Sequence, residues 1–222
     1  MTVREEESAV ACRSPQTTEC GSVWSGFPLF RHPLFALLGL RPAYAQHTLE
    51  ERETLQRWAR GKRTLVEIGV AEGVSALALR QVMRADGVLY LVDPFHLSRF
   101  PLINSVRRVA GRTVGRYQNG RVQWIELFSF AAAREWVLSI DFLFIDGDHS
   151  EEAVRRDWND WSRFVRRGGI VALHDARTFP AGWTSQSDGP VKLVDGFLRT
   201  RQAGGWEIVE EVHSLVVARR CT

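Results

Sequence analysis

Residues 141–150 read Asp141-Phe142-Leu143-Phe144-Ile145-Asp146-Gly147-Asp148-His149-Ser150. Phe142 to Ile145 are apolar with no alternation, the pattern of a strand buried on both faces and therefore of a parallel sheet covered by helices on both sides. Two acids and a histidine follow at once, where that strand must end. Ser150 then caps a helix whose first turn holds Glu151 and Glu152, acids favoured by the helix dipole.

The same grammar extends both ways from this stretch. Upstream, Thr48 and Glu51 form a capping box, Leu55, Trp58 and Ala59 give one apolar face, and the predicted helix runs to about Arg60 before Gly61. Strands are predicted at Thr64–Ile68, Val88–Val92, Arg121–Ile125 and Asp141–Ile145. Val74, Leu77, Ala78 and Val82 mark one intervening helix. Leu102, Val106, Val109, Ala110, Val114 and Tyr117 mark another, and an Ala-rich helix is expected from Ser129 to about Leu138. Downstream, Val154, Trp158, Trp161 and Val165 form a buried helical stripe that Gly168-Gly169 closes. Ile170–Leu173 is then a fifth strand, and Pro190 to Arg201 has helical spacing. Trp206–Val212 and Leu215–Arg219 lie too close in sequence for a crossover and can only pair antiparallel. The expected fold is α/β: a doubly wound, mainly parallel seven-stranded sheet ending in an antiparallel strand pair.

At 222 residues the chain suits one such domain and is short for two. Residues 1–22 read as a poorly ordered leader, 23–47 as an aromatic segment near the mouth of the site, and 48–222 as the domain proper. A composition 45% hydrophobic and 25% charged excludes a largely disordered protein. Net charge is only +3, with bases and acids interleaved. Arg107, Arg108, Arg112, Arg116 and Arg121 therefore read as solvated helix faces rather than a nucleic-acid stripe. Phe27 to Leu40, the greasiest stretch, is broken by Arg31, His32 and two prolines, so no membrane span is expected. The acidic N-terminus, Met1-Thr-Val-Arg-Glu-Glu-Glu7, is unlike a signal peptide, and the expected location is cytoplasmic. Cys12, Cys20 and Cys221 sit near the ends and suggest neither a disulfide framework nor a zinc site.

In an open parallel sheet ligands bind beyond the carboxyl ends of the strands, and four strand ends here are polar. The first is Glu67-Ile-Gly69-Val70-Ala-Glu-Gly73, where glycines permit close backbone approach and a helix begins. Its Gly-x-x-x-Gly spacing is not the nicotinamide or flavin fingerprint. Glu67 could face a cationic ligand or brace the loop. Asp93, after Leu-Tyr-Leu-Val, is placed to accept both hydroxyls of a ribose. Asp146, Asp148 and His149 end the fourth strand, and His174 and Asp175 end the fifth. Carboxylates and imidazoles converging there suit a divalent cation with a histidine base beside it. Thr178–Gly189 follows as a Gly/Ser-rich loop bearing Trp183, a candidate platform for a sugar or an aromatic ring.

Glu-Ile-Gly-Val-Ala-Glu-Gly, Val-Asp-Pro, Ile-Asp-Gly-Asp-His-Ser with Asp157 downstream, and Gly-Gly-Ile-Val-Ala-Leu-His-Asp together resemble a class I S-adenosylmethionine-dependent methyltransferase. Over Thr48 to Arg219 the likeness is to the subgroup containing macrocin-type and mycinamicin-type sugar O-methyltransferases and cephalosporin-hydroxylase-like proteins. The resemblance implies that Glu67, Gly69, Val70 and Gly73 surround the methionine part of S-adenosyl-L-methionine. It further implies that Asp93 holds the ribose, that Ser129 lies at the adenine, and that Asp146 lines the cofactor. It places a divalent metal, Mg or Mn, on Asp146, Asp175 and His174, the last standing where metal-dependent members have an acid. His149 matches the general base. The implied partner is a small-molecule hydroxyl acceptor, and the aromatic segment could serve a homo-oligomer. Two other readings stay open: a metal-independent methyltransferase with a histidine base, and a dinucleotide-binding dehydrogenase or sensor on the same fold.

Overall fold

Strands β1 (Thr64–Ile68), β2 (Val88–Val92), β3 (Arg121–Ile125), β4 (Ile140–Ile145), β5 (Val165–Leu173), β6 (Trp206–Val212) and β7 (Leu215–Arg220) form one sheet in the order β3-β2-β1-β4-β5-β7-β6. In this computed structural model the described residues are 32–95, 104–180, 182–200 and 203–222. The first five strands run parallel, while β7 is antiparallel to both β5 and β6. The chain winds outward from β1 to β3, then returns to place β4 beside β1. That reversal opens the crevice in which such sheets bind ligands.

Helices α1 (Pro33–Leu37), α2 (Leu49–Ala59), α3 (Val74–Val82), α4 (Ser105–Val114), α5 (Ser129–Arg134), α6 (Glu151–Trp161) and α7 (Gly189–Leu193) complete the unit Pro33–Thr222. The period-2 geometry of the strands sorts the apolar residues into two cores. Leu65, Phe142, Phe144 and Ala172 pack with Leu55, Leu79 and Ala110 from α2, α3 and α4. Val66, Ile68, Leu143, Ile145 and Val171 pack with Trp158 and Trp161 of α6 and Leu193 of α7 on the other face. The unalternating run at 142–145 thus serves both cores, as its composition requires.

Six of the seven strands match the sequence reading to within a residue; the start of β5 and several helix ends do not. The stripe expected to extend α6 through Val165 stops at Trp161, where a 3-10 turn (Ser162–Phe164) intervenes. Val165 is buried as the first residue of β5, opposite Ile140. The partner of Phe142 is Ile170, so residues 166–169 are looped out as a bulge around Gly168 at φ +73°. The glycine pair therefore kinks a strand and does not end a helix. Helix α5 stops at Arg134, short of Leu138, and beyond it the Trp136 Nε1 donates forward to the Leu138 carbonyl at 2.7 Å. The helical spacing after Pro190 resolves into α7 and a π turn, Val194–Leu198. The leader 1–22, Trp24 to Arg31 of the aromatic segment, Leu102, Arg201, Cys12 and Cys20 lie outside the described residues. No helix among the described residues is long and apolar enough to cross a membrane.

Candidate active site

Backbone hydrogen bonds lace the three central strand tips together. Asp146 N donates to the Ile68 carbonyl at 2.8 Å, and His174 N donates to the Ile145 carbonyl at 3.1 Å. The ends of β1, β4 and β5 are thereby held side by side.

At the first tip, Gly69 has φ +83°, and a Cβ there would lie 2.0 Å from the Asp146 carbonyl oxygen. The glycine expected to admit a ligand thus first admits the neighbouring strand. Glu67 is fully buried on the α3 side, where the Ser75 hydroxyl donates to its Oε1 at 2.5 Å. Burial, with Asp146 and Asp93 adding to it, raises this carboxyl well above the usual range. Its Oε2 has no hydrogen-bond partner among the described residues. Gly73 N-caps α3. Asp93 braces the turn: its Oδ2 accepts from Val70 N at 2.9 Å and Ala71 N at 3.2 Å, and its Oδ1 from Phe95 N at 2.7 Å. Ser129 is engaged by protein as well, its hydroxyl donating to the Asp157 carboxylate.

At the other two tips, Asp146, His149 and Asp175 each present a ligand atom within 4.8 Å of the others. His149 lies between the acids, Nε2 at 3.7 Å from Asp146 Oδ1 and Nδ1 at 3.5 Å from Asp175 Oδ2. The two carboxylates raise its pKa, against its partial burial. Asp175 is held at φ +50°, a left-handed conformation uncommon for a non-glycine residue and most frequent at functional sites. Asp148 instead braces the turn before α6, accepting from the N-cap Ser150 N at 2.7 Å.

His174 lies at the end of β5, behind the trio. Its Nδ1 lies 3.1 Å from Asp146 Oδ1 and 3.4 Å from Asp175 Oδ1, and its Nε2 lies 3.6 Å from Glu51 Oε2. Burial works against the charged form, but Asp146, Glu51 and Asp175 lift its pKa to about 10. His174 is not one of the ligand-competent trio and lies buried behind it, among the carboxylates of Asp146, Asp175 and Glu51.

Glu51 escaped sequence reading because its capping-box role was sufficient on its own. That box is present, yet the carboxylate also accepts from Ser214 N at 2.9 Å and Ser214 Oγ at 2.7 Å. Burial opposes ionisation; His174, Ser214 and the Thr48 amide overcome it and bring Glu51 down to about 2. Glu72 was likewise passed over. Within the glycine turn it takes both Arg41 guanidinium nitrogens, at 2.8 and 2.5 Å, and Tyr44 N at 2.7 Å, fastening residues 41–44 to the turn. Among the arginines that might have formed a basic stripe, Arg107 is paired with Glu126 at 2.8 Å and stacked on Trp124.

Asp157 supplies a test of the electrostatics beneath the β4 loop. It is 4% exposed, and burial pushes its pKa up to about 6; Ser129 and Arg156 oppose the shift, while Asp160 and Asp148 add to it. The folded protein then binds the proton more tightly than the unfolded chain, so this contribution to stability is present below about pH 4 and lost as pH rises through about 6. Two units correspond to about 3 kcal/mol. Asp157→Asn keeps the acceptor for Ser129, so at pH 8 it is expected to raise the melting temperature by roughly 6 °C or more. The gain should vanish at pH 4; an equal gain at both pH values would mean that Asp157 does not titrate in this range.

The sheet order and the reversed β7 are the architecture of class I S-adenosylmethionine-dependent methyltransferases. Residues 66–176 match the family described as "Methyltransferase domain", and the chain belongs to that family. A Mycobacterium sp. (strain JLS) protein designated an O-methyltransferase is 32% identical over 135 residues, covering 60% of this chain and 57% of the relative. The chain spans only about half the length of the curated relatives it matches. Among solved structures, a Corynebacterium glutamicum protein superposes with a TM-score of 0.63 at 15% identity, over 87% of this chain and 89% of its own. The Streptomyces achromogenes O-methyltransferase TomG, involved in tomaymycin synthesis and solved with S-adenosylmethionine, superposes with a TM-score of 0.60 at 15% identity, over 84% and 86%. These likenesses show the shared fold.

Proposed function

We propose that the chain is an S-adenosylmethionine-dependent O-methyltransferase acting on a hydroxyl of a small molecule, a sugar or natural product, assisted by a divalent cation. The observation that carries this reading is the convergence of Asp146, His149 and Asp175 beside the glycine turn. Asp146 and Asp175 would supply carboxylate oxygens to Mg²⁺ or Mn²⁺, with the His149 imidazole left free beside them as base. The unpartnered, buried Glu67 Oε2 at the foot of the turn suits the ammonium of the donor's methionine part. Asp93, with Oδ2 on the glycine turn, would take the ribose hydroxyls, and Val70 and Gly73 would flank the same molecule, with Ser129 toward the adenine.

When bound, the donor supplies an electrophilic methyl group and the cation lowers the pKa of the acceptor hydroxyl. Asp146 and Asp175 would hold the cation; His149 is placed to take the hydroxyl proton as the acceptor oxygen bonds to the methyl carbon in line and the sulfonium S–CH₃ bond breaks, leaving S-adenosylhomocysteine. His174, buried behind them, would position both carboxylates through its Nδ1. A metal-independent variant of this reading leaves His149 as base with the acids only orienting it. Activity lost to a chelator and restored by Mn²⁺ supports the metal; activity indifferent to the chelator removes it.

The donor assignment is tested by calorimetry with S-adenosylhomocysteine. Asp93→Ala is expected to weaken binding by at least about tenfold, the scale of losing hydrogen bonds to a charged acceptor, with Mn²⁺ affinity unchanged. A lowered melting temperature with undiminished affinity would reduce Asp93 to a brace for Val70, Ala71 and Phe95.

A further inference from the structure

We propose that Trp183 is the acceptor-recognition residue of this site, and that the acceptor is a hydroxyl compound with a flat apolar face, either a sugar ring or an aromatic ring. The inference rests on the reading of Asp146, His149 and Asp175 as the acceptor-activating cluster. The indole Nε1 donates to Asp175 Oδ1 at 2.5 Å. That oxygen is also the one near His174, whereas Oδ2 faces His149. Trp183 therefore engages one oxygen of Asp175 and leaves the other directed into the cluster.

Its ring is nevertheless 54% exposed beside the strand tip. The indole meets Phe179 edge-on with centroids 5.2 Å apart, and Phe179 stacks on His213 at 5.2 Å. The loop carrying it is tied at several points: Gly182 N to the Phe179 carbonyl at 2.9 Å, Thr184 Oγ1 to the Arg177 carbonyl at 2.8 Å, and Ser185 N to Asp188 at 2.8 Å. Gly189 N, at its far end, donates to the His149 carbonyl at 3.0 Å. A large aromatic surface on a fastened loop, one hydrogen bond from Asp175, is preorganised for stacking. A linear alcohol would gain nothing from it, while a ring laid on the indole would bring its hydroxyl to Asp175 Oδ2 and His149.

Indole N–H resonances of the ¹⁵N-labelled protein test this directly. The chain has eight tryptophans, and Trp183→Phe identifies the Trp183 signal by its loss; because the side chain is exposed, the other signals should stay in place and report an intact fold. Mn²⁺ should broaden the Trp183 signal first, and its failure to do so would overturn the metal reading separately from this one. Catechol and methyl β-D-glucopyranoside distinguish the two ring types: one of them is expected to shift the Trp183 signal, glycerol is not, and Trp183→Phe should weaken binding of the active probe by about two- to tenfold. Mn²⁺ broadening with no response to either ring, or an equal response to glycerol, overturns the proposal.

Discussion

His149→Ala is expected to lower kcat by about 10²- to 10⁴-fold, the range a positioned proton acceptor contributes, while S-adenosylhomocysteine and Mn²⁺ bind within a few-fold of wild type. The side chain is 45% exposed, and among the described residues its ion-pair contacts are the two long ones with Asp146 and Asp175, so its removal should leave the fold intact. Its position, with one ring nitrogen toward each acid, is what makes the prediction divisible. A parallel fall in Mn²⁺ affinity and turnover would make His149 a ligand; a parallel fall in donor affinity and melting temperature would make it structural. Only the isolated loss of turnover agrees with a base.

Gly69→Ala should have the largest effect on stability. The added methyl carbon would sit 2.0 Å from the Asp146 carbonyl oxygen and 2.5 Å from its carbonyl carbon, on backbone that is itself hydrogen-bonded to Ile68. Left-handed backbone costs an alanine ~1–2 kcal/mol, and overpacking against an unyielding neighbour adds ~1–3 kcal/mol or more. A loss of about 4 kcal/mol, or failure to accumulate folded protein, is expected in denaturant unfolding. Gly168→Ala is the control: at φ +73° it carries comparable strain but nothing lies within 4 Å of its Cβ. Equal stability of the two variants would show that the β1 and β4 tips separate easily, and the site would lose its rigid floor.

The strands were legible because their signal is local. Phe142 to Ile145 must be buried on both faces wherever they go, and Trp206–Val212 with Leu215–Arg220 leave room only for a tight antiparallel turn. Helix ends were less so, because Val165 continues the spacing of Val154, Trp158 and Trp161 while belonging to β5; only its pairing with Ile140 shows this. The same limit applies to the site. Asp146, His149 and Asp175 could be placed together because each ends a strand whose neighbours the winding rules supply. Glu51 could not be connected to His174, nor Glu72 to Arg41, because those contacts depend on how α2 and the preceding segment pack across the sheet ends. Gly69 was identified as a close approach, and the group it approaches is the Asp146 backbone. His174 ends β5 as the sequence suggests, but its neighbour Glu51 comes from α2 and leaves no local signal.

The central claim is that two adjacent strand tips and the glycine turn serve one reaction. A crystal structure of the chain grown with S-adenosylhomocysteine and Mn²⁺, with anomalous data collected for manganese, addresses it most directly. The account predicts the thioether sulfur above the Gly69–Gly73 turn and a manganese peak between Asp146 and Asp175, both opening on the space beside His149. A manganese peak elsewhere, or a homocysteine moiety bound away from that turn, would contradict it.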